Sequence, residues 1–249
     1  MGIIVKSSDE ISIMREAGEI VAKVLQKLAS EVRPGVRTRE LDHTCAKELA
    51  RYEARSSFKG YRGFPAHICT SVNNEVVHGI PGDRILCEGD IISLDAGVIF
   101  KGFQGDAAIT VGVGEISEEA RRLLDVTQSA LLAGIAAARN KARLGDVSTA
   151  IQHYVETRGF SVVREYTGHG IGRAMHEEPQ IPNFGEAGQG PLLREGMTLA
   201  IEPMVNAGGW GTRVSDDQWT VVTADGRLSA HFEHTIAITN GAPEILTAV

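Results

Sequence analysis

A chain of 249 residues with 43% hydrophobic and 23% charged residues can bury an extensive core and lacks the composition that keeps chains disordered. Its formal charge of −7 argues against an extended phosphate-binding face, because nucleic-acid affinity rests on Lys and Arg neutralising phosphates, and leaves room only for a local basic patch. Acids interrupt the N-terminal stretch where an export signal needs an unbroken apolar run, and no later run spans a bilayer, so a cytoplasmic protein without a membrane contact is expected. Cys45, Cys69 and Cys87 are odd in number and form no C-x-x-C pair, which fits a reducing compartment better than a disulfide framework or a zinc knuckle.

Residues 10–31 place Met14, Val21, Val24, Leu25 and Leu28 at helical spacing. A break at Pro34-Gly35 precedes a second helix from about Thr38 to Ala54. Two apolar, partly β-branched runs follow, IISLDAGVIF and GFQGDAAITVGV, joined at Lys101-Gly102 as a hairpin. A second helix pair covers 118–140, with Leu124, Leu131 and Ile135, and then about Ser148 to Thr157. The remaining strands include MTLAIEPMV and LSAHFEHTIAI.

The order repeats. Pro34 to Thr38 lies over Leu144 to Ser148 at a shift of 110 residues, each segment a turn followed by a hydroxyl N-cap candidate. LCEGDIISLD, Leu86 to Asp95, lies over LREGMTLAIE, Leu193 to Glu202, at a shift of 107; Leu, Glu and Gly match and both segments end on an acid. The expected fold is α+β: a single domain, 1–249, of two related halves of about 1–115 and 116–249. Their antiparallel strands form one curved sheet with helices on its outer face.

Asp95 and Asp106 stand in apolar runs. With a two-residue loop at Lys101-Gly102, residue 95 pairs with 108 and residue 106 with 97, leaving the aspartates as diagonal neighbours with β-carbons about 7–8 Å apart or less. A four-residue loop would set them directly opposite. Either way two buried carboxylates share a face, and such a pair must keep a proton or hold cations. Glu202 and Glu233, on strands of the second half, extend the expected set to four acids from duplicated strands. His169, in TGHGIG, adds an imidazole, and the combination suits Mn, Fe, Co or Zn better than Ca. The glycines around His169 lack the spacing of a dinucleotide loop.

NEVVHGIPGDR (74–84), SLDAG with the later GDAAIT, YTGHGIGRAMHEEP (166–179), IEPM and FEHTIAIT together make the chain closely resemble the type I methionine aminopeptidases, metallopeptidases of the pita-bread fold, over nearly its whole length. The resemblance implies two divalent ions (Co, Mn, Fe or Zn), with Asp95 on the first, Asp106 and Glu233 bridging, and His169 and Glu202 completing the second. It implies that Glu202 serves as general base to a water shared by the ions, and that His78 and His176 contact the substrate amide or the developing oxyanion. The methionine pocket would be formed by Tyr61, Phe64, Cys69, Met175 and Trp219, with Phe58 and Met175 differing from what some bacterial relatives carry. A monovalent cation near Asn73, Glu75 and Ser229 is also implied. So are a monomeric state and action on nascent polypeptide N-termini at the ribosome. His176 and Glu202 stand 26 positions apart, which leaves no room for the type II insertion, and a bacterial-type enzyme without the N-terminal zinc-binding extension of eukaryotic type I enzymes is expected. Proline-specific relatives usually carry a further N-terminal domain, for which this chain has no room. His43 and His153 read as exposed helical residues. His231 and His234 flank Glu233, and their spacing leaves support of the site and surface exposure equally open.

Overall fold

The computed structural model describes residues 2–248. Ser7 opens the first helix through a reciprocal cap: its hydroxyl accepts from Glu10 N–H at 3.3 Å while the Glu10 carboxylate accepts from Ser7 N–H at 3.0 Å. The chain then runs through α1 (Ser8–Glu31), α2 (Thr38–Arg51), β1 (Arg55–Ser56), β2 (Cys69–Val72), β3 (Glu75–Val77), β4 (Ile91–Phe100) and β5 (Phe103–Gly112). The second half holds α3 (Glu118–Ala137), α4 (Leu144–Glu156), β6 (Ser161–Val162), β7 (Thr167–Gly170), β8 (Glu177–Pro182), β9 (Thr198–Ile201) and β10 (Met204–Asn206). It closes with β11 (Thr212–Val214), β12 (Val221–Thr223), β13 (Ser229–His231), β14 (Glu233–Ala237) and β15 (Glu244–Ile245).

The main sheet is antiparallel in the order β1-β4-β5-β14-β9-β7-β8, with β2 also on β4 and β15 on β14. Alternation along each strand divides its two faces. Ile92, Leu94, Ala96 and Val98 of β4 and Ala107 of β5 pack in one apolar cluster with Val21, Leu25 and Leu28 of α1 and Leu41 and Cys45 of α2. Leu199 and Ile201 of β9 and Ile236 of β14 pack likewise with Leu123 and Leu131 of α3 and Val147 and Ile151 of α4. Asp95, Asp106 and Glu233 therefore stand on the opposite face, turned away from the helices. Among the described residues no helix is long and apolar enough to cross a membrane.

The helix pairs and the hairpin form as expected, with two corrections. First, α4 begins at Leu144, and Ser148 lies buried inside it. Neither predicted hydroxyl caps its helix: Thr38 Oγ1 instead donates to the Gly82 carbonyl and accepts from Gly82 N–H. The residues that correspond are Arg37 and Arg143, four places from the 110-residue overlay. Each occupies its helix N-cap, each bridges to the partner loop (Ile85 and Leu192), and each guanidinium bonds a carbonyl of that loop (Asp83 and Gly190). Before them Gly35 and Lys141 share a left-handed backbone, with φ of 91° and 72°.

Second, the overlay of Leu86–Asp95 on Leu193–Glu202 holds, but the acids are not wholly duplicated. Met204 pairs with His231 as Gly97 pairs with Asp106. The register on either side of Glu202 sets it opposite Glu233, as Asp95 is opposite Ala108. Asp95 and Glu202 are thus equivalents, whereas Glu233 corresponds to Ala108 and Asp106 corresponds to His231.

Candidate active site

The two-residue loop at Lys101-Gly102 fixes the first pair of acids. Phe100 pairs with Phe103, so Asp95 falls opposite Ala108 and Asp106 opposite Gly97, the diagonal arrangement expected from the shorter loop. Next across the sheet, Glu233 pairs with Ala108, and Glu202 lies beyond it. Asp95, Ala108, Glu233 and Glu202 form one row across four strands. One step along, Gly97, Asp106, Thr235, Ala200 and His169 form the adjacent row, in which Asp106 N–H donates to Thr235 Oγ1 at 3.1 Å and His169 pairs with Ala200. All five predicted metal-ligating side chains therefore share two neighbouring rows of one face, with the small residues Gly97, Ala108 and Ala200 among them.

The glycines of TGHGIG serve close packing. A Cβ at Gly168 would lie 2.4 Å from the Ala200 carbonyl oxygen, and one at Gly170 would lie 2.2 Å from that of Glu178. Flanked in this way, His169 is held by its neighbours and by its own ring: Nδ1 faces the Gly170 carbonyl at 2.9 Å, and since a carbonyl only accepts, Nδ1 carries the proton. The lone pair of Nε2 is left pointing at Glu202 Oε1, 3.7 Å away, and Asp106 Oδ2, 3.8 Å away. This is the tautomer of a metal-ligating imidazole.

Asp106, His169 and Glu233 each offer a donor atom within 4.8 Å of the others. Glu202 joins them through His169, and its backbone carbonyl accepts from Asn183 Nδ2 at 3.0 Å. Asp95 stands beside Cys69, its partner on β2. One carboxylate oxygen on each of Asp95, Asp106 and Glu233 is fully buried without a hydrogen-bond partner. Burial drives every one of these acids upward in pKa, Asp95 to about 7; for Asp106, Glu202 and Glu233 the neighbouring carboxylates push further in the same direction. Burial lowers His169 to about 4, with His176 adding to the effect. Protein groups thus leave the cluster uncompensated. Oxygen-rich donors, orphaned buried oxygens and an imidazole aimed into their midst fit divalent cations.

His176 and His78 face the same space. The His176 ring lies 4.3 Å from that of His169, and its Nδ1 meets the Tyr61 hydroxyl at 2.9 Å. His78 holds a left-handed backbone, φ 61°, a conformation uncommon for a non-glycine residue, and packs edge-on against Trp219 and Tyr166. Burial lowers both imidazoles, His78 to about 4, so both are neutral at pH 7. Every predicted pocket residue, Tyr61, Phe64, Cys69, Met175 and Trp219, lines one cavity of about 160 Å³ together with the acids and the histidines. Phe58 lines it too, fitted against Gly97, where a Cβ would lie 2.7 Å from the Phe58 ring. The Cys69 thiol is buried, and its pKa is driven up by that burial and then by Asp95.

Two residues at this site were not assigned from the sequence. Arg62 stands at the mouth, its guanidinium 5.4 Å from the centre of the Tyr61 ring. His231, left undecided, is 2% exposed and faces Glu202, whereas His234 turns to the helix side and bonds Thr247 Oγ1 at 2.8 Å. His43 and His153 are exposed, as expected.

The segment bearing Met175 and His176 is tied to the N-terminal arm. Lys6 Nζ meets Glu177 Oε2 at 2.5 Å, with side chains only 4% and 6% exposed, and Gly172 leaves the room for this pair. Ahead of Lys6, Gly2 and Ile4 border a second cavity shared with Arg62, Arg173 and His176.

Comparison with known proteins agrees with this geometry. Residues 12–240 match the model of metallopeptidase family M24. The methionine aminopeptidase of Clostridium perfringens is 53% identical over 247 residues, 99% of each chain. Crystal structures of methionine aminopeptidases superpose on the whole molecule. That from Thermotoga maritima is 46% identical with a TM-score of 0.98, covering 100% of both chains; that from Rickettsia prowazekii is 43% identical with a TM-score of 0.98, covering 99% of this chain and 100% of the other. With its antiparallel sheet, its flanking helices and its central carboxylate cluster, the chain belongs to metallopeptidase family M24, among the methionine aminopeptidases.

Proposed function

We propose that the protein removes the N-terminal methionine from nascent proteins and peptides whose second residue is small. The observation that carries this reading is the placement of the carboxylate and imidazole cluster at the floor of a cavity walled by Phe58, Phe64, Cys69, Met175 and Trp219. An unbranched apolar side chain fits among those groups, and the free amino group of the same residue then lies against the carboxylates, so only the first peptide bond comes into reach.

Asp95, Asp106, His169, Glu202 and Glu233 would hold two divalent ions, which when bound polarise the scissile carbonyl and bring the pKa of the attacking water toward neutrality. Glu202 accepts the proton of that water and delivers it to the departing amine. The Tyr61 hydroxyl meets His176 Nδ1, and in the tautomer in which it donates there the ring proton sits on Nε2, from which a neutral imidazole would donate to the developing oxyanion. His78 contacts the substrate amide from the other side of the cavity. In the same reading a monovalent cation sits by Asn73, Glu75 and Ser229, a joint at which Ser229 N–H donates to the Asn73 carbonyl at 2.8 Å. The protein acts as a cytoplasmic monomer on chains emerging from the ribosome, with Mn, Co, Fe or Zn as its ions.

Purified protein supplied with Mn or Co is expected to release Met from Met-Ala-Ser, to lose that activity on chelation, and to leave an X-Pro dipeptide intact. Cleavage of the X-Pro dipeptide in preference to Met-Ala-Ser, or turnover indifferent to chelation, overturns the proposal.

A further inference from the structure

The pseudo-symmetry leaves one buried group unexplained. His231 takes, in the second half, the place that Asp106 takes in the first, and its backbone is clamped there: His231 N–H donates to Thr110 Oγ1 at 2.9 Å, and the Thr110 hydroxyl donates to the His231 carbonyl at 2.7 Å. The ring is turned inward with Nε2 fully buried and without a hydrogen-bond partner. The nearest acidic group is Glu202, whose Oε2 is 3.7 Å from that nitrogen, within about 1 Å of bonding range.

Glu202 lies between two imidazoles, one to each oxygen. Oε1 points at His169 Nε2 and Oε2 points at His231 Nε2, each at 3.7 Å. An oxygen directed toward His169 shares the space into which that ring's lone pair points. The other oxygen is directed out of that space toward His231 Nε2, a fully buried nitrogen that is costly to leave without a partner. A ligating carboxylate is ordinarily oriented by an outer hydrogen bond, and the loss of such partners weakens metal binding.

We propose that His231 is a positioning residue for Glu202: its Nε2–H bonds Glu202 Oε2 and fixes the carboxylate with Oε1 facing His169. This inference rests on the reading of Glu202 as ligand and proton acceptor, and it gives a role to a side chain that neither lines the methionine pocket nor belongs to the five-residue ligand set. The duplicated seat has been re-used: an acid inside the cluster in one half, and a donor that holds an acid of the cluster in the other.

The test compares His231→Leu, which fills the space without a donor, with His231→Gln, which retains a side-chain N–H of similar reach. Mn binding is followed by titration calorimetry, and kcat and KM are measured on Met-Ala-Ser. In the Leu variant the weaker Mn affinity and kcat are each expected to fall roughly 10–100-fold while KM moves less than about twofold, and in the Gln variant both quantities are expected to stay within about threefold of the original. Should the Leu variant fail to fold, His231→Asn, whose amide is too short to reach Glu202, is expected to behave as the Leu variant would. Unchanged Mn affinity and kcat without the donor overturn the proposal, as does a Gln variant impaired as severely as the donor-free one. If the unaltered protein binds Mn yet releases no Met, the assigned reaction falls, while the calorimetric contrast still decides the role of His231.

Discussion

The two halves of the sheet are built on one plan and used differently. In the first half β4 and β5 pair without interruption from Ile91 with Gly112 to Phe100 with Phe103, and two aspartates project from this stiff ladder as diagonal neighbours. In the second half the same ladder is cut where Pro203, which has no N–H to give, follows Glu202, and where Phe232 separates β13 from β14. The register nevertheless continues across the gap, so Glu202 and Glu233 face one another at the interruption. The two halves share backbone devices, such as the turns at Gly89 and Gly196 with φ of 88° and 84°, but distribute the chemistry differently between the strands. The unbroken half supplies fixed oxygens; the broken half supplies acids whose longer side chains need neighbours to orient them.

The sharpest way to break this comparison is to remove one acid from each half. Asp106→Ala and Glu233→Ala are each expected to lower kcat/KM on Met-Ala-Ser by on the order of 10³-fold, since several kcal/mol of charge stabilisation disappear with either. Steady-state assays at saturating Mn measure this, and a loss below tenfold in one variant would mean that the halves contribute unequally. Next in size is the scaffold. Leu86 and Leu193 hold equivalent, fully buried places, and Leu→Ala at either is expected to cost roughly 3 kcal/mol in urea unfolding. Costs that differ by more than about half of that would show that the repeat is not energetically symmetric.

The smallest effect concerns protons. Asp95, raised to about 7, and the other three acids, raised by burial and by one another, keep protons in the folded metal-free protein that the unfolded chain releases above about pH 4. Stability from this source is fully present below that pH and is lost as pH rises through the raised values. Cations that compensate the ionised acids remove the loss. The gap in thermal midpoint between Mn-loaded and chelated protein should therefore widen from pH 5 to pH 8. Buried neutral histidines are common to both forms and drop out of the difference. A gap that is flat or narrows with pH would contradict the cluster's electrostatics.

Much of this was legible in the residues. A turn at Lys101-Gly102 puts Asp95 and Asp106 on one face whether its loop has two residues or four; the structure decides for two, which makes them diagonal neighbours. Helix termini were harder. Ser148 has the chemistry of a cap, but the Asp146 carboxylate accepts from Arg143 N–H at 2.8 Å and starts α4 four residues earlier. The equivalence of Asp106 with His231 was hidden for a geometric reason: the second half inserts β11 and β12 between β10 and β13, so its two strands are offset from the first half by different amounts and no single shift aligns both. Arg62 carries no signal of its own, since an arginine in an exposed loop is ordinarily a solvated one.

The buried Lys6–Glu177 contact has a practical corollary for handling the protein. Because that anchor holds Gly2 and Ile4 beside Arg62, Arg173 and His176, a tag fused ahead of them is expected to raise KM on Met-Ala-Ser, which comparison with a C-terminally tagged protein would check. An affinity handle belongs at the other end of the chain.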